Sequence, residues 1–168
     1  VVEEFRRRLE AVDGRVHEVS SLAAAQAAAR ELIAGATVAR WADEELDGIV
    51  EDGEREAPVA AAEVSLICAD VGVAQTGAIG FVHHAGRSRA AALLPSRQIA
   101  LLRRDDLVAS LAEALTRVGL RAGSRRPPGN VVFAAGPSRT SDIEQKSIKG
   151  VHAPRELDVV LYDSTLRS

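Results

Sequence analysis

Methionine is absent from the 168 residues, cysteine occurs once, and Phe, Trp and Tyr together make up only 3% of the sequence. A single cysteine rules out an internal disulfide, and no cysteine-rich motif is present to hold zinc or an iron–sulfur cluster. Cys68 lies in the apolar run Val64-Ser65-Leu66-Ile67-Cys68-Ala69 and reads as a small buried thiol rather than a reactive one. Few aromatics leave few platforms for stacking bases, and a net charge of −3 gives no general attraction to phosphates, so nucleic acid is not an expected partner. The basic clusters Arg6-Arg7-Arg8, Arg103-Arg104 and Arg125-Arg126 read as solvated faces. No apolar run is long enough to span a bilayer and no signal peptide is visible, so the expected location is a reducing cytoplasm. The lack of methionine extends to position 1, where Val1 stands, which points to a start trimmed from a longer chain. No phosphate-binding Gly-Lys-Ser/Thr loop and no Gly-x-Ser-x-Gly elbow occurs. His83 and His84 are adjacent, so on a strand they face opposite ways, and no helix-spaced His pair exists elsewhere; no metal is expected.

What is present is the balance of a globular protein, 46% hydrophobic and 27% charged, in a length that suits one domain over residues 1–168. Val2, Phe5, Leu9 and Val12 fall at helical spacing, and Asp13-Gly14 ends that helix. Residues 15–19 alternate as a strand, and Ser20-Ser21 caps an alanine-rich helix that runs to Ile33. Further strands are predicted over 37–41, 64–70, 79–83, 97–103, 131–135 and 157–162. A polar helical piece is expected from Asp43 towards Val50, a loop over 51–58, and an amphipathic helix from Asp105-Asp106 to Gly119, with Leu107, Leu111, Leu115 and Val118 on one stripe. Strands and helices alternate without an internal repeat, which predicts an α/β domain with a largely parallel central sheet.

Two glycine-bearing stretches follow predicted strands. In Gly136-Pro137-Ser138-Arg139-Thr140-Ser141-Asp142-Ile143-Glu144, a glycine turn, three hydroxyls and an arginine come directly after an apolar run, and Ser141 with Glu144 reads as a capping box. Unpaired N–H groups at such a helix start, together with Arg139, offer donors to a carboxylate or phosphate; the plainer reading is that the loop only caps its own helix. Asp142 and Glu144 fit the cap and the helix dipole better than an acid–base pair. In Gly72-Val73-Ala74-Gln75-Thr76-Gly77-Ala78, Thr76 and Gly77 allow close backbone approach, though a tight packing turn explains the same glycines. In open α/β sheets ligands gather beyond the carboxyl ends of strands, so the two stretches are expected to face a shared crevice.

The first of these stretches, continued through Gln145 and Lys146 to Gly150-Val151-His152-Ala153-Pro154-Arg155-Glu156-Leu157-Asp158-Val159-Val160-Leu161-Tyr162-Asp163, the second, begun at Ala69-Asp70-Val71, and Arg89-Ala90-Ala91-Ala92-Leu93-Leu94-Pro95-Ser96 carry a resemblance to the lactate utilisation protein C family, the LUD-domain proteins (including the YkgG-like members). It is specific over the last hundred or so residues and generic before them. The resemblance implies a three-layer α/β fold of the NagB/RpiA/CoA-transferase-like kind. It also implies a subunit that oxidises L-lactate to pyruvate with iron–sulfur partner proteins, the clusters sitting in those partners and this chain having a binding or assembly role. A small carboxylate is then a candidate ligand, with Thr76, Gly77, Gly136, Ser138, Arg139 and Thr140 as its binding residues and His152 as a weak catalytic candidate. Gln75 stands where the family usually has glutamate. An amide neither attacks an acyl group usefully nor takes a proton near neutral pH, which disfavours CoA-transfer chemistry there. Two other readings stay open: an independent enzyme on the same fold acting on a phosphorylated or CoA-linked small molecule, and, more weakly, a metabolite-sensing module.

Overall fold

The computed structural model describes residues 1–50, 56–121, 130–137, 139–140, 148–149 and 154–164. The chain opens with α1 (Val2–Glu10), which buries Phe5 and Leu9 and exposes Arg7 and Arg8. After β1 (Arg15–Val19), Ser21 Oγ accepts a hydrogen bond from the Ala24 N–H at 3.2 Å and starts α2 (Leu22–Ile33). Ala25, Ala29 and Ile33, four residues apart, form the buried stripe of that helix. Then follow β2 (Val38–Arg40), short 3₁₀ turns at Glu44–Leu46 and Val59–Ala61, β3 (Val64–Cys68), β4 (Val71–Val73), β5 (Ala78–His83), α3 (Arg89–Leu93), β6 (Arg97–Arg103), β7 (Leu107–Val108), α4 (Leu111–Arg121), β8 (Asn130–Ala134), β9 (Arg139–Thr140), β10 (Ile148–Lys149) and β11 (Glu156–Tyr162).

The main sheet has the order β1-β11-β6-β3-β2, every pair parallel. Its central strands are apolar almost without interruption because both faces are covered. Arg97 and Gln98 point to opposite faces. The first donates to the Leu32 carbonyl of α2 at 2.8 Å and the second to the Ala92 carbonyl of α3 at 2.8 Å, so α2 and α3 lie on opposite sides. This is the α/β architecture that the alternation of elements predicts, a mostly parallel sheet with helices on both sides.

Several local features differ from the sequence reading. The 131–135 strand does not join the parallel sheet; as β8 it runs antiparallel to β5 in a second sheet of order β7-β4-β5-β8. Gly72 and Gly80 lie inside strands of that sheet, where a Cβ on Gly72 would sit 2.5 Å from Leu107 and one on Gly80 2.7 Å from Phe133. The helix expected from Asp105 starts only at Leu111. Ser110 Oγ accepts from the Glu113 N–H at 3.3 Å while Glu113 Oε2 accepts from the Ala109 N–H at 3.1 Å, a reciprocal cap that fixes the start there and frees Leu107–Val108 to pair with β4. Gly119 lies within that helix rather than closing it. Of the polar stretch after Asp43, only the turn Glu44–Leu46 is helical.

Candidate functional site

Three neighbouring strands of the parallel sheet end on polar side chains: β3 on Cys68, β6 on Arg103 and β11 on Tyr162. Arg103 and Tyr162 stand opposite each other in register, and Leu101, two residues earlier on β6 and on the same face as Arg103, stands opposite Cys68. These strand ends form the floor of a cleft of about 280 Å³ at the carboxyl edge, the position where open α/β sheets bind ligands. Asp43 and Glu45 reach it from the turn after β2, Asp70 from the residues after β3, Arg87 from the segment between β5 and α3, and Asp106 from the turn after β6.

Arg87 is the inner cation. It forks onto Asp43 (Nη2 to Oδ1 2.6 Å, Nε to Oδ1 2.9 Å), donates to Asp70 Oδ2 at 2.7 Å and lies 5.2 Å from the ring centroid of Trp41. Asp70 Oδ2 also accepts from the Val82 N–H at 2.8 Å, which ties the cleft wall to β5. Trp41 is fully buried, its indole N–H donating to the Ser88 carbonyl at 2.9 Å and its ring meeting Phe81 edge-on. Burial opposes the charge on Arg87, but the bonds to Asp43 and the field of Asp70 outweigh it and hold the guanidinium's pKa above its ordinary value.

Arg103 is the outer cation, with 44% of its side chain exposed. Its Nε donates to the Tyr162 hydroxyl oxygen at 3.2 Å and its Nη2 pairs with Glu45. Burial pushes the Tyr162 phenol's pKa up against the opposing effect of Arg103, so Tyr162 is a neutral donor whose O–H has no acceptor among the described residues. Burial, then the carboxylates of Asp43 and Glu45, push the Cys68 thiol's pKa up against the opposing field of Arg87, which favours the protonated thiol. One ligand-type atom of each of Asp43, Glu45 and Cys68 lies within 4.8 Å of those of the other two.

The residues singled out in the sequence are placed elsewhere or lie outside the described residues. Gly77 has φ +69° at the turn between β4 and β5, and a Cβ there would lie 2.5 Å from the Leu9 backbone nitrogen of α1; Thr76 Oγ1 accepts from the Ala78 N–H at 3.3 Å. Gly136, φ +77°, is packed on the same helix end, 2.6 Å from Val12 by the same measure. The two glycine stretches therefore do meet, at the C-terminal end of α1, and neither Thr76, Gly77 nor Gly136 lines the cleft. Arg139 and Thr140 are placed only as the backbone of β9, paired antiparallel with β10. Ser138, His152 and the expected cap at Ser141 and Glu144 lie outside the described residues. His83 ends β5 with Nδ1 3.3 Å from the Arg87 carbonyl, and His84 follows it off the strand. Arg103 belongs to a basic pair that reads as a solvated face, yet it is half built into the cleft. The available signal was its place as the last residue of an apolar strand. Among the described residues no helix is long and apolar enough to cross a membrane.

The LUD domain family model matches residues 34–162. Lactate utilization protein C of Halalkalibacterium halodurans is 30% identical over 125 residues, covering 73% of this chain and 52% of that protein. The protein of the same name from Shouchella clausii is 30% identical over 102 residues, 61% of this chain and 44% of that one. Uncharacterized protein YkgG of Escherichia coli is 30% identical over 94 residues, 55% and 41% respectively. The chain spans about half the length of the curated relatives it matches. A crystal structure of a DUF162 family protein from Deinococcus radiodurans superposes with a TM-score of 0.69 at 24% identity over 96% of this chain and 95% of that one, a shared fold.

Proposed function

The chain belongs to the LUD-domain family, and from that premise we propose that it serves in lactate utilisation, binding a small carboxylate such as L-lactate or pyruvate in the cleft at the sheet's carboxyl edge. The observation that carries the placement is the Arg103–Tyr162 pair. A half-exposed guanidinium and a buried phenolic O–H with no acceptor among the described residues stand side by side on adjacent strand ends, the donor pair a carboxylate accepts from. The cleft is small enough to enclose a three-carbon acid. Oxidation of lactate to pyruvate then takes place with iron–sulfur partner proteins that hold the clusters, this sequence having only one cysteine, and the chain's own part is binding or assembly. The stretch Gly136, Ser138, Arg139, Thr140 is the second place for the carboxylate, and His152 the candidate for proton transfer beside it.

An enzyme acting on a phosphorylated or CoA-linked substrate is the weaker reading for this cleft. Four carboxylates (Asp43, Glu45, Asp70, Asp106) line it against two guanidiniums (Arg87, Arg103), a balance that repels a multiply charged anion more than a monoanion. A strain lacking the gene, grown on L-lactate as sole carbon source, tests the reading. Growth is expected to fail, to return with the full-length protein, and to return poorly with Arg103→Ala. Normal growth of the deletion strain, with no second gene copy, contradicts the role in lactate utilisation.

A further inference from the structure

The geometry points to a divalent-cation site in the cleft, with Asp43, Glu45 and the sulfur of Cys68 as its protein ligands. Asp43 and Glu45 arrive from the turn after β2 and Cys68 from the end of β3, and one ligand atom of each lies within 4.8 Å of the other two, from which small side-chain rotations reach the closer spacing of groups that share one ion. Each carboxylate uses its arginine bonds mainly on one oxygen. Arg87 Nη2 and Nε hold Asp43 Oδ1 at 2.6 and 2.9 Å with a longer 3.1 Å contact to Oδ2, and Arg103 holds Glu45 Oε1, which leaves lone pairs on Oδ2 and Oε2.

The thiol is a separate observation that asks for a ligand. Cys68 is 7% exposed, lines the cleft, and has no hydrogen-bond partner among the described residues. On binding, the S–H proton leaves to solvent and a sulfur–metal bond forms, with no change of oxidation state. One thiolate and two carboxylates, with the fourth position left to water or ligand, suit Zn²⁺ or Co²⁺ better than Mg²⁺ or Ca²⁺, which prefer all-oxygen shells. The inference is independent of the lactate reading, since the ion needs no organic ligand.

Titrating the full chain with Co²⁺ alone tests it, because cobalt reports its own ligands. The expected result is one Co²⁺ per chain, a sulfur-to-cobalt charge-transfer band in the near ultraviolet, and displacement of that band by Zn²⁺. Cys68→Ser should abolish the band, and Glu45→Gln should weaken binding about tenfold or more with the band intact, each variant being checked for native circular dichroism. Absence of the band in the wild-type chain, which carries no folding ambiguity, overturns the proposal. So does a band that persists in folded Cys68→Ser.

Discussion

Replacing Gly77 by alanine separates packing from ligand binding at the glycine turn, and its size can be worked out from the structure. The residue has φ +69°, a left-handed conformation that costs an L-residue about 1 kcal/mol. Its new Cβ would lie 2.5 Å from the Leu9 nitrogen and 2.7 Å from the Arg8 carbonyl carbon, both backbone atoms of α1 that no side-chain rotation can move aside. Overpacking of that kind adds about 1–3 kcal/mol, so the total is about 2–4 kcal/mol. For a chain of this size each kcal/mol moves the melting temperature by about 2–4 °C, which makes the expected fall about 5–15 °C by circular dichroism. Gly119 supplies a control of opposite sign. It lies inside α4 with nothing within 4 Å of a built Cβ, so Gly119→Ala should stabilise by up to about 1 kcal/mol. A Gly77→Ala chain that melts with the wild type would refute the packing account and restore a binding role for the turn.

Two further perturbations follow from buried polar groups. Asp158, completely buried on β11, is pushed up by burial but held down to about 2, from an ordinary 3.8, by hydrogen bonds from His17 (2.8 Å) and Arg15 (2.7 and 2.8 Å). Its folded pKa is depressed, so its contribution of about 2 kcal/mol is complete above pH 4 and lost as pH falls towards 2. Urea midpoints should show a fall across that window that Asp158→Asn removes, and an unchanged acid limb in the variant would contradict the assignment. Trp41→Phe should cost about 1–3 kcal/mol, because it removes the bond to the Ser88 carbonyl and leaves a void beside Phe81 and Arg87. Chemical denaturation followed by far-ultraviolet circular dichroism checks this, and a midpoint equal to wild type would show that the indole is not holding the cleft wall.

The parallel sheet was legible in the sequence because its strands are buried on both faces and read as unbroken apolar runs, Val64–Cys68 and Leu157–Tyr162 above all. The family was legible from motifs at 69–78, 89–96 and 136–163. The second sheet was not, since nothing local distinguishes the partner of a β8-type strand; β8 pairs with β5, about fifty residues away in sequence. The cleft was legible only in part. The rule that ligands bind beyond carboxyl strand ends points to the edge where the cleft lies, but it was applied to the glycine stretches, of which Gly77 and Gly136 pack on the end of α1. Asp43 with Glu45, Arg87 and Arg103 come together from three separate segments, each of which reads alone as ordinary solvated charge.

Calorimetric titration of L-lactate and of pyruvate into the wild-type chain, Arg103→Ala and Arg139→Ala tests the central claim most directly. The cleft account predicts saturable binding to the wild type, a loss of about 1.5–3 kcal/mol in Arg103→Ala for the missing charge-assisted contact, and little change in Arg139→Ala. Binding that survives intact in Arg103→Ala and disappears in Arg139→Ala would move the carboxylate to the 136–140 stretch, and no binding to the wild type under any condition would contradict direct recognition of the small acid.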